Sequence, residues 1–394
     1  MASGFFLTPG PTAVPARVAQ AMAEPVTDHR GPKFAAQTKQ LLPMLSEVFC
    51  TTQPVVIYPS SGTGAAEAAV VNTLSPGDRV LAFDSGFFAA RWNDIAIRYG
   101  LDVHVVSSDW EHSIRVEDIA AALSHDPLHR IKAVLVVHSE TSTGLTAPVA
   151  GIRAALDETR HPALLLVDAI SSLGTMSYEH DGWGADVTIA SSQKGLMLPP
   201  GLGFNAISER ALTASRNTAG LPRSYWAWQP ILDANRDGYF PYTPPISLLA
   251  GLLESLSILR EETLPRVHAR HAAMAQLARE TISGWGLDIV GPGEPHSNSL
   301  TAFWLPPGHD SDKVHRFLSE RYELSLGKGL GLFASRVLRV GHLGEMDVET
   351  LMAALARLRA GLTDAGVLTE PARPSKGEGE SPPPPAGAPG ASPA

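Results

Sequence analysis

The sequence predicts an α/β protein, with a large domain on a mostly parallel sheet flanked by helices and a smaller C-terminal α+β domain. Three observations carry this. Through the first two-thirds of the chain, short β-branched or apolar runs alternate with helical patterns, as a parallel sheet with helical crossovers requires. Several of those runs are apolar almost throughout, as strands buried on both faces should be. After a long apolar helical stretch the pattern changes to separated strands with helices between them.

Taken in order, the strands are "VVIY" (55–58), "RVLAF" (79–83), "DVHVV" (102–106), "KAVLVVH" (132–138), "ALLLVDA" (163–169), "DVTIASS" (186–192) and "GFNAIS" (203–208). Helical patterns fill 64–74, 87–99, 116–124 and 148–159 between them. A long helix follows at 244–262, then Pro265 and another helix to about Ser283. "LDIVG" (287–291), "SLTAFWLP" (299–306) and "RVLRVGH" (336–342) look like strands, with helices near 310–322 and 346–362. The expected division is an N-terminal arm (1–20), a large domain (21–263), a small domain (264–366) and a tail (367–394). The tail is rich in Pro, Gly, Ser and Ala. It cannot bury enough apolar surface to offset ordering entropy, so disorder is expected there.

Composition bounds the function. At 394 residues, 44% hydrophobic and 18% charged, the chain has the make-up of a globular protein with a large core. Its net charge is −9 and it has no basic block, which argues against nucleic acid as a partner. Cys50 is the only cysteine, so neither an intramolecular disulfide nor a cysteine-based metal site is expected. The start, "MASGFFLTPGPT", lacks a signal-peptide pattern, and no run of about 18 apolar residues predicts a membrane span. A cytoplasmic location is the expectation.

Three stretches can carry chemistry. In "YPSSGTGAAEAAVVNTL" (58–74) a strand, a Ser/Gly/Thr loop and a helix follow in order, presenting backbone N–H groups where a phosphate binds well. The stretch also imitates a dinucleotide fingerprint, with Gly62, Gly64 and Asp84 in place, but Glu67 stands where the third glycine belongs. Its bland reading is an ordinary helix start. In "ALLLVDAISSLG" (163–174), Asp168 ends an apolar strand, as a structural carboxylate or one facing a crevice. In "ASSQKGLMLPPG" (190–201), Lys194 is the only charged side chain between Val187 and Ser208. A surface lysine is the usual reading, but a desolvated one becomes a nucleophilic amine suited to Schiff-base chemistry. The three explain one another. A phosphate loop, an aspartate and a buried lysine at the strand ends of one sheet are what pyridoxal phosphate needs.

The chain resembles the class V aminotransferases of fold type I, and most closely their serine–glyoxylate and alanine–glyoxylate branch. The resemblance covers about residues 5–365. It rests on "LTPGPTAVP", "DHRGPKF", "SSGTGAAEAAVVNTLSPGDRVL", "VVHSETSTG", "HPALLLVDAISSLG", "SSQKGLMLPPGLG", "YFPYTPP" and "RVLRVGHLG". It implies that Lys194 is the Schiff-base lysine and proton shuttle, and that Asp168 pairs with the pyridine nitrogen. Thr63, Gly64 and Gln193 would contact the phosphate, Thr141 the ring-hydroxyl side, and Phe88 the ring face. Thr243 would reach the phosphate of the neighbouring subunit's site in a homodimer, with Tyr242 a weaker candidate. Arg339 would clamp the substrate carboxylate, a task that suits a planar guanidinium. Arg336 competes for that role, but strand alternation sets the two on opposite faces. His29, Arg30 and His342 either line the site or merely cap and pack.

The resemblance implies a ping-pong amino transfer with serine as donor and glyoxylate as acceptor. Alanine, aspartate or 3-hydroxyaspartate are alternative donors, and an acidic donor needs a second cation, for which Arg30 is the obvious candidate. A cysteine desulfurase would need a nucleophilic cysteine on a late loop, and Cys50 lies early. A nicotinamide oxidoreductase built on Gly62, Gly64 and Asp84 would leave Lys194 and Asp168 without a purpose.

Overall fold

The computed structural model describes residues 4–217 and 221–369. The tail expected at 367–394 lies, from 370 on, outside the described residues. Among the described residues a seven-stranded sheet has the order β2–β8–β7–β6–β5–β3–β4. Its strands are β2 (Val55–Ser60), β3 (Arg79–Asp84), β4 (Asp102–Ser107), β5 (Ile131–Val137), β6 (Leu164–Asp168), β7 (Val187–Ser191) and β8 (Gly201–Ile207). β3 to β7 run parallel, and β8 alone is antiparallel to both of its neighbours. The expectation of a mostly parallel sheet is met.

The pleat explains why the central strands read as apolar throughout. Leu165 and Val167 point into one buried cluster with Ile57, Leu81, Val134 and Phe204. Leu164 and Leu166 point into the opposite cluster with Val56, Val80, Leu135 and Ile189. Alternation across the strand sends successive side chains to opposite faces, and here both faces are covered. The helices between the strands are α3 (Gly62–Thr73), α4 (Phe87–Arg98), α5 (Val116–Ser124) and α6 (Val149–Glu158). Fully buried Ala65, Ala68 and Ala69 let α3 lie close on the sheet.

The remaining large-sheet helices are α1 (Ala16–Ala23), α2 (Pro32–Val48), α7 (Glu209–Asn217), α8 (Trp228–Arg236) and α9 (Ile246–Glu262). α10 (Leu264–Gly284) leads to a second sheet of order β1–β10–β11–β9. Its strands are β1 (Phe5–Leu7), β9 (Leu300–Trp304), β10 (Leu324–Lys328) and β11 (Val337–Gly341), backed by α11 (Ser311–Tyr322) and α12 (Val348–Asp364). "LDIVG" is not a strand. Ile289 makes a single bridge to Phe303, because Gly286 (φ +82°), Gly291 (φ +66°) and Gly293 (φ +84°) turn the chain on either side of it.

The N-terminus joins the two sheets. β1 pairs in parallel with β10, Phe5 opposite Leu324. A few residues later the Thr12 N–H donates to the Gln193 carbonyl at 3.1 Å, on the far side of the lysine loop. The first strand of the small sheet is thereby tied to the stretch that carries Lys194.

Candidate active site

The carboxyl ends of β5, β6 and β7 converge on the start of α3, the edge of an open α/β sheet where ligands bind. A cavity of ≈ 270 Å³ opens there. Of the residues expected from sequence, Thr63, Phe88, Thr141, Asp168, Gln193 and Lys194 all line it.

Lys194 is held in a closed loop rather than at the surface. Ser192 Oγ donates to the Pro199 carbonyl at 2.8 Å and accepts from the Leu202 N–H at 3.2 Å, pinching residues 192–202 together. Leu196, Met197 and Leu198 bury completely or nearly so, which is why the run had to be apolar. Lys194 itself is 8% exposed. Its Nζ donates to the Pro9 carbonyl at 2.6 Å. A Cβ on Gly10 would lie 2.4 Å from that Nζ, and Gly10 sits at φ +129°, so only glycine lets the segment close over the amine. Burial first, then the Arg339 charge, lower the lysine to about 8, against the opposing pull of Asp168 and Glu140.

The sign of that shift gives a testable consequence. The amine is half neutral near pH 8, where a solvated lysine stays charged until about 10.4. Uptake of pyridoxal phosphate by the cofactor-free protein, followed by absorbance, should accelerate with pH with a midpoint near 8. A midpoint above 10 would mean that the lysine is solvated.

Asp168 ends β6, and its Oδ1 accepts from the Ile170 N–H at 2.8 Å. Burial pushes its carboxyl up to about 7, and the nearby Glu140 charge adds to the rise. A carboxyl so placed gains from a cationic partner such as a protonated ring nitrogen.

The start of α3 forms the third part. Ser61 is its extended N-cap residue, and no side chain caps the helix. Free N–H groups and the positive end of the helix dipole therefore face the cavity. Side chains are excluded there. A Cβ on Gly62 would lie 2.2 Å from Ile170 Cδ1, and one on Gly64 would lie 2.1 Å from Ser60 Oγ. Two buried polar atoms nearby, Ser191 Oγ and Gln193 Oε1, have no hydrogen-bond partner among the described residues. Unpaired buried polar atoms are costly, so a ligand that satisfies them is favoured. The helix start, the orphaned atoms, the aspartate and the lysine fit pyridoxal phosphate.

Arg339, on β11 and 7% exposed, does not itself line this cavity but bonds to Thr141, which does. Gly327 and Ala302, its small cross-strand neighbours, leave it room. Its Nε donates to the Lys328 carbonyl at 2.8 Å and its Nη1 to the Thr141 carbonyl at 2.7 Å. Both bonds aim the guanidinium without neutralising it. Arg336 points elsewhere, its guanidinium 4.9 Å from the centre of the Trp304 ring. Thr141 also shares a hydrogen bond between its Oγ1 and Ser171 Oγ.

The structure adds residues that sequence reasoning missed. Glu140 is 2% exposed and accepts from the Phe88 and Ala89 N–H groups at 3.2 and 3.1 Å. Ser142 supplies two more bonds to it. Glu140 thus caps α4 and holds Phe88 over the cavity, although burial raises its carboxyl above the ordinary range. Its signal was visible as a lone carboxylate among the small hydroxyl residues of "HSETSTG". Gly10, Arg91 and Ser171 also line the cavity.

Other candidates sit apart. Arg30 is exposed and His29 half-buried before α2, and neither lines the cavity, so Arg30 is not a second cation there. His342 is fully buried, its Nε2 bonded to Thr301 Oγ1 at 2.9 Å and its Nδ1 to the Asn298 carbonyl at 3.1 Å. It packs, and burial holds it down to about 3. Thr243 is exposed between α8 and α9, outside this chain's own cavity. Asp84 accepts from the Trp110 indole N–H at 2.9 Å, so the nicotinamide reading loses a free ribose-binding carboxylate. Cys50 is exposed after α2 and does not line the cavity. Among the described residues no cluster of His, Cys, Asp and Glu is placed to hold a metal ion. No described helix is long and apolar enough to cross a membrane.

The profile of the family "Aminotransferase class-V" matches residues 5–332. A serine–glyoxylate aminotransferase of Methylorubrum extorquens is 43% identical over 92% of both chains. An L-aspartate–glyoxylate aminotransferase of Paracoccus denitrificans is 39% identical over 91% of both. The crystal structure of an alanine–glyoxylate aminotransferase from Nostoc sp. superposes with a TM-score of 0.86 at 31% identity, covering 92% of this chain and 96% of that one.

Proposed function

The chain belongs to the class-V aminotransferases, and from that premise we propose that it transfers the amino group of L-serine to glyoxylate, giving hydroxypyruvate and glycine. The enzyme is a pyridoxal-phosphate aminotransferase. The observation that carries the reading is the meeting of Lys194, Asp168 and the α3 N-terminus in one cavity. The high identity to a serine–glyoxylate enzyme supports this substrate pair.

When bound, pyridoxal phosphate supplies an aldehyde that joins amines and a ring that withdraws electrons from the substrate Cα. The chain does the rest. Lys194 holds the cofactor, and its neutral amine moves the proton between the substrate Cα and the cofactor carbon. Asp168 keeps a proton on the ring nitrogen. The α3 N–H groups, with Thr63, Gly64 and Gln193, hold the phosphate. Phe88 covers the ring and Thr141 meets its hydroxyl side. Arg339 takes the substrate α-carboxylate. Thr243 serves the neighbouring subunit's site in a homodimer, in keeping with its exposure here. The working division is an arm (1–20), a cofactor domain (21–263) and a small domain (264–366), in a cytoplasmic enzyme.

The half-reaction tests the donor. Serine, alanine, aspartate and 3-hydroxyaspartate are mixed separately with the loaded enzyme, and loss of the bound cofactor's visible absorbance is followed. Serine should convert it fastest and glyoxylate should reverse the change. Faster conversion by another donor replaces the substrate and leaves the aminotransferase standing.

A further inference from the structure

Arg91 is an unused cation in the cavity. It lies one turn after Phe88 on α4 and is exposed, and the reaction outlined above gives it no task. It has no hydrogen bond or ion pair among the described residues. The acidic side chains near it on both helices are engaged. Asp94 takes Arg98 Nε at 2.8 Å, and Glu67 takes the Tyr99 hydroxyl at 2.9 Å.

That last bond ties the two helices side by side. α3 and α4 both leave the carboxyl edge of the sheet and run the same way, since each follows one of two parallel strands. Tyr99 lies about 12 Å along α4 from Arg91, and Glu67 about 7.5 Å along α3 from Gly62, at the usual helical rise of about 1.5 Å per residue. With Tyr99 bonded to Glu67, these spacings put Arg91 toward the same end of the helix pair as the first turn of α3. It lines the same cavity as the helix start, with Ser61, Gly62 and Thr63. Independent signs of a ligand at this place are the unpartnered Oγ of Ser191, a residue 2% exposed, and the unpartnered Gln193 Oε1. Ser191 Cβ lies 3.5 Å from where a Gly62 Cβ would sit.

We propose that Arg91 is a ligand of the cofactor's phosphate, closing from α4 the anion site that the α3 N-terminus opens. This rests on the pyridoxal-phosphate reading of the cavity. A guanidinium offers a phosphate paired, charge-assisted hydrogen bonds, which the neutral loop residues do not. It also adds a full positive charge to the partial charge of the helix end.

The test separates phosphate from ring. Pyridoxal phosphate and phosphate-free pyridoxal are titrated into cofactor-free wild type, Arg91→Gln and Arg91→Lys, and binding is read from visible absorbance. Arg91→Gln should weaken pyridoxal phosphate about tenfold or more and leave pyridoxal unchanged, with Arg91→Lys between. Equal weakening of both ligands would assign Arg91 to the ring or the fold and overturn the proposal. Unchanged cofactor affinity with selective loss of aspartate turnover would make it a substrate cation and overturn it too. If the cavity does not take the cofactor at all, wild type binds neither compound, a result distinct from all of these.

Discussion

Lys194→Ala is expected to lower transamination by about four orders of magnitude or more while leaving the protein folded. On the proposed mechanism the variant loses both the covalent anchor and the group that carries the Cα proton, and proton transfer alone is commonly worth 10²–10⁴-fold. The fold should survive because the site holds this lysine at a cost. The ammonium is buried, and its one hydrogen bond goes to a backbone carbonyl, that of Pro9. Shortening the side chain removes a desolvated charge, so thermal unfolding should occur at the same temperature or higher. Turnover within about a hundredfold of wild type in this variant would overturn the assignment of the lysine. A large drop in melting temperature would mean that the Pro9 contact stabilises more than the charge costs.

The second large effect belongs to Arg339. Arg339→Ala should raise KM by about two orders of magnitude for the amino donor and the oxo-acid acceptor alike, because both carry the carboxylate that the proposed mechanism assigns to it. The proton-transfer step should change far less, since the proposed mechanism gives it to Lys194. Arg339→Lys provides the control for geometry. It keeps a charge but loses the fork held by the Lys328 and Thr141 carbonyls, and should recover only part of the affinity. A fall confined to kcat would place Arg339 in the chemistry rather than in binding.

The sequence spoke most clearly where one residue had to satisfy two demands. Lys194 interrupts an apolar run that the core requires, and Asp168 ends a strand that both faces bury, so each stood out. The central strands of the large sheet were legible for the same reason. Two strands of the small sheet were not. β1 has three residues and β10 contains Gly327 and ends in Lys328, so neither carries enough pattern to read alone; β1 exists through its pairing with β10, and β10 through its place between β1 and β11. Glu140 and Arg91 escaped because their roles depend on what α4 brings alongside them. Arg30 drew notice through its motif, yet the chain leaves it exposed before α2.

The pairing of β1 with β10 also orders events during synthesis. Phe5 leaves the ribosome early, but its sheet partner Leu324 follows more than three hundred residues later. At roughly 5–20 residues per second, that delay is on the order of 15–60 s. Throughout that interval the large sheet can form with its nucleophile in place, while the Pro9–Gly10 cover has no strand to dock its leading end. The pocket is therefore assembled from both ends of the message, and a nascent chain halted before β10 should carry the lysine without its cover.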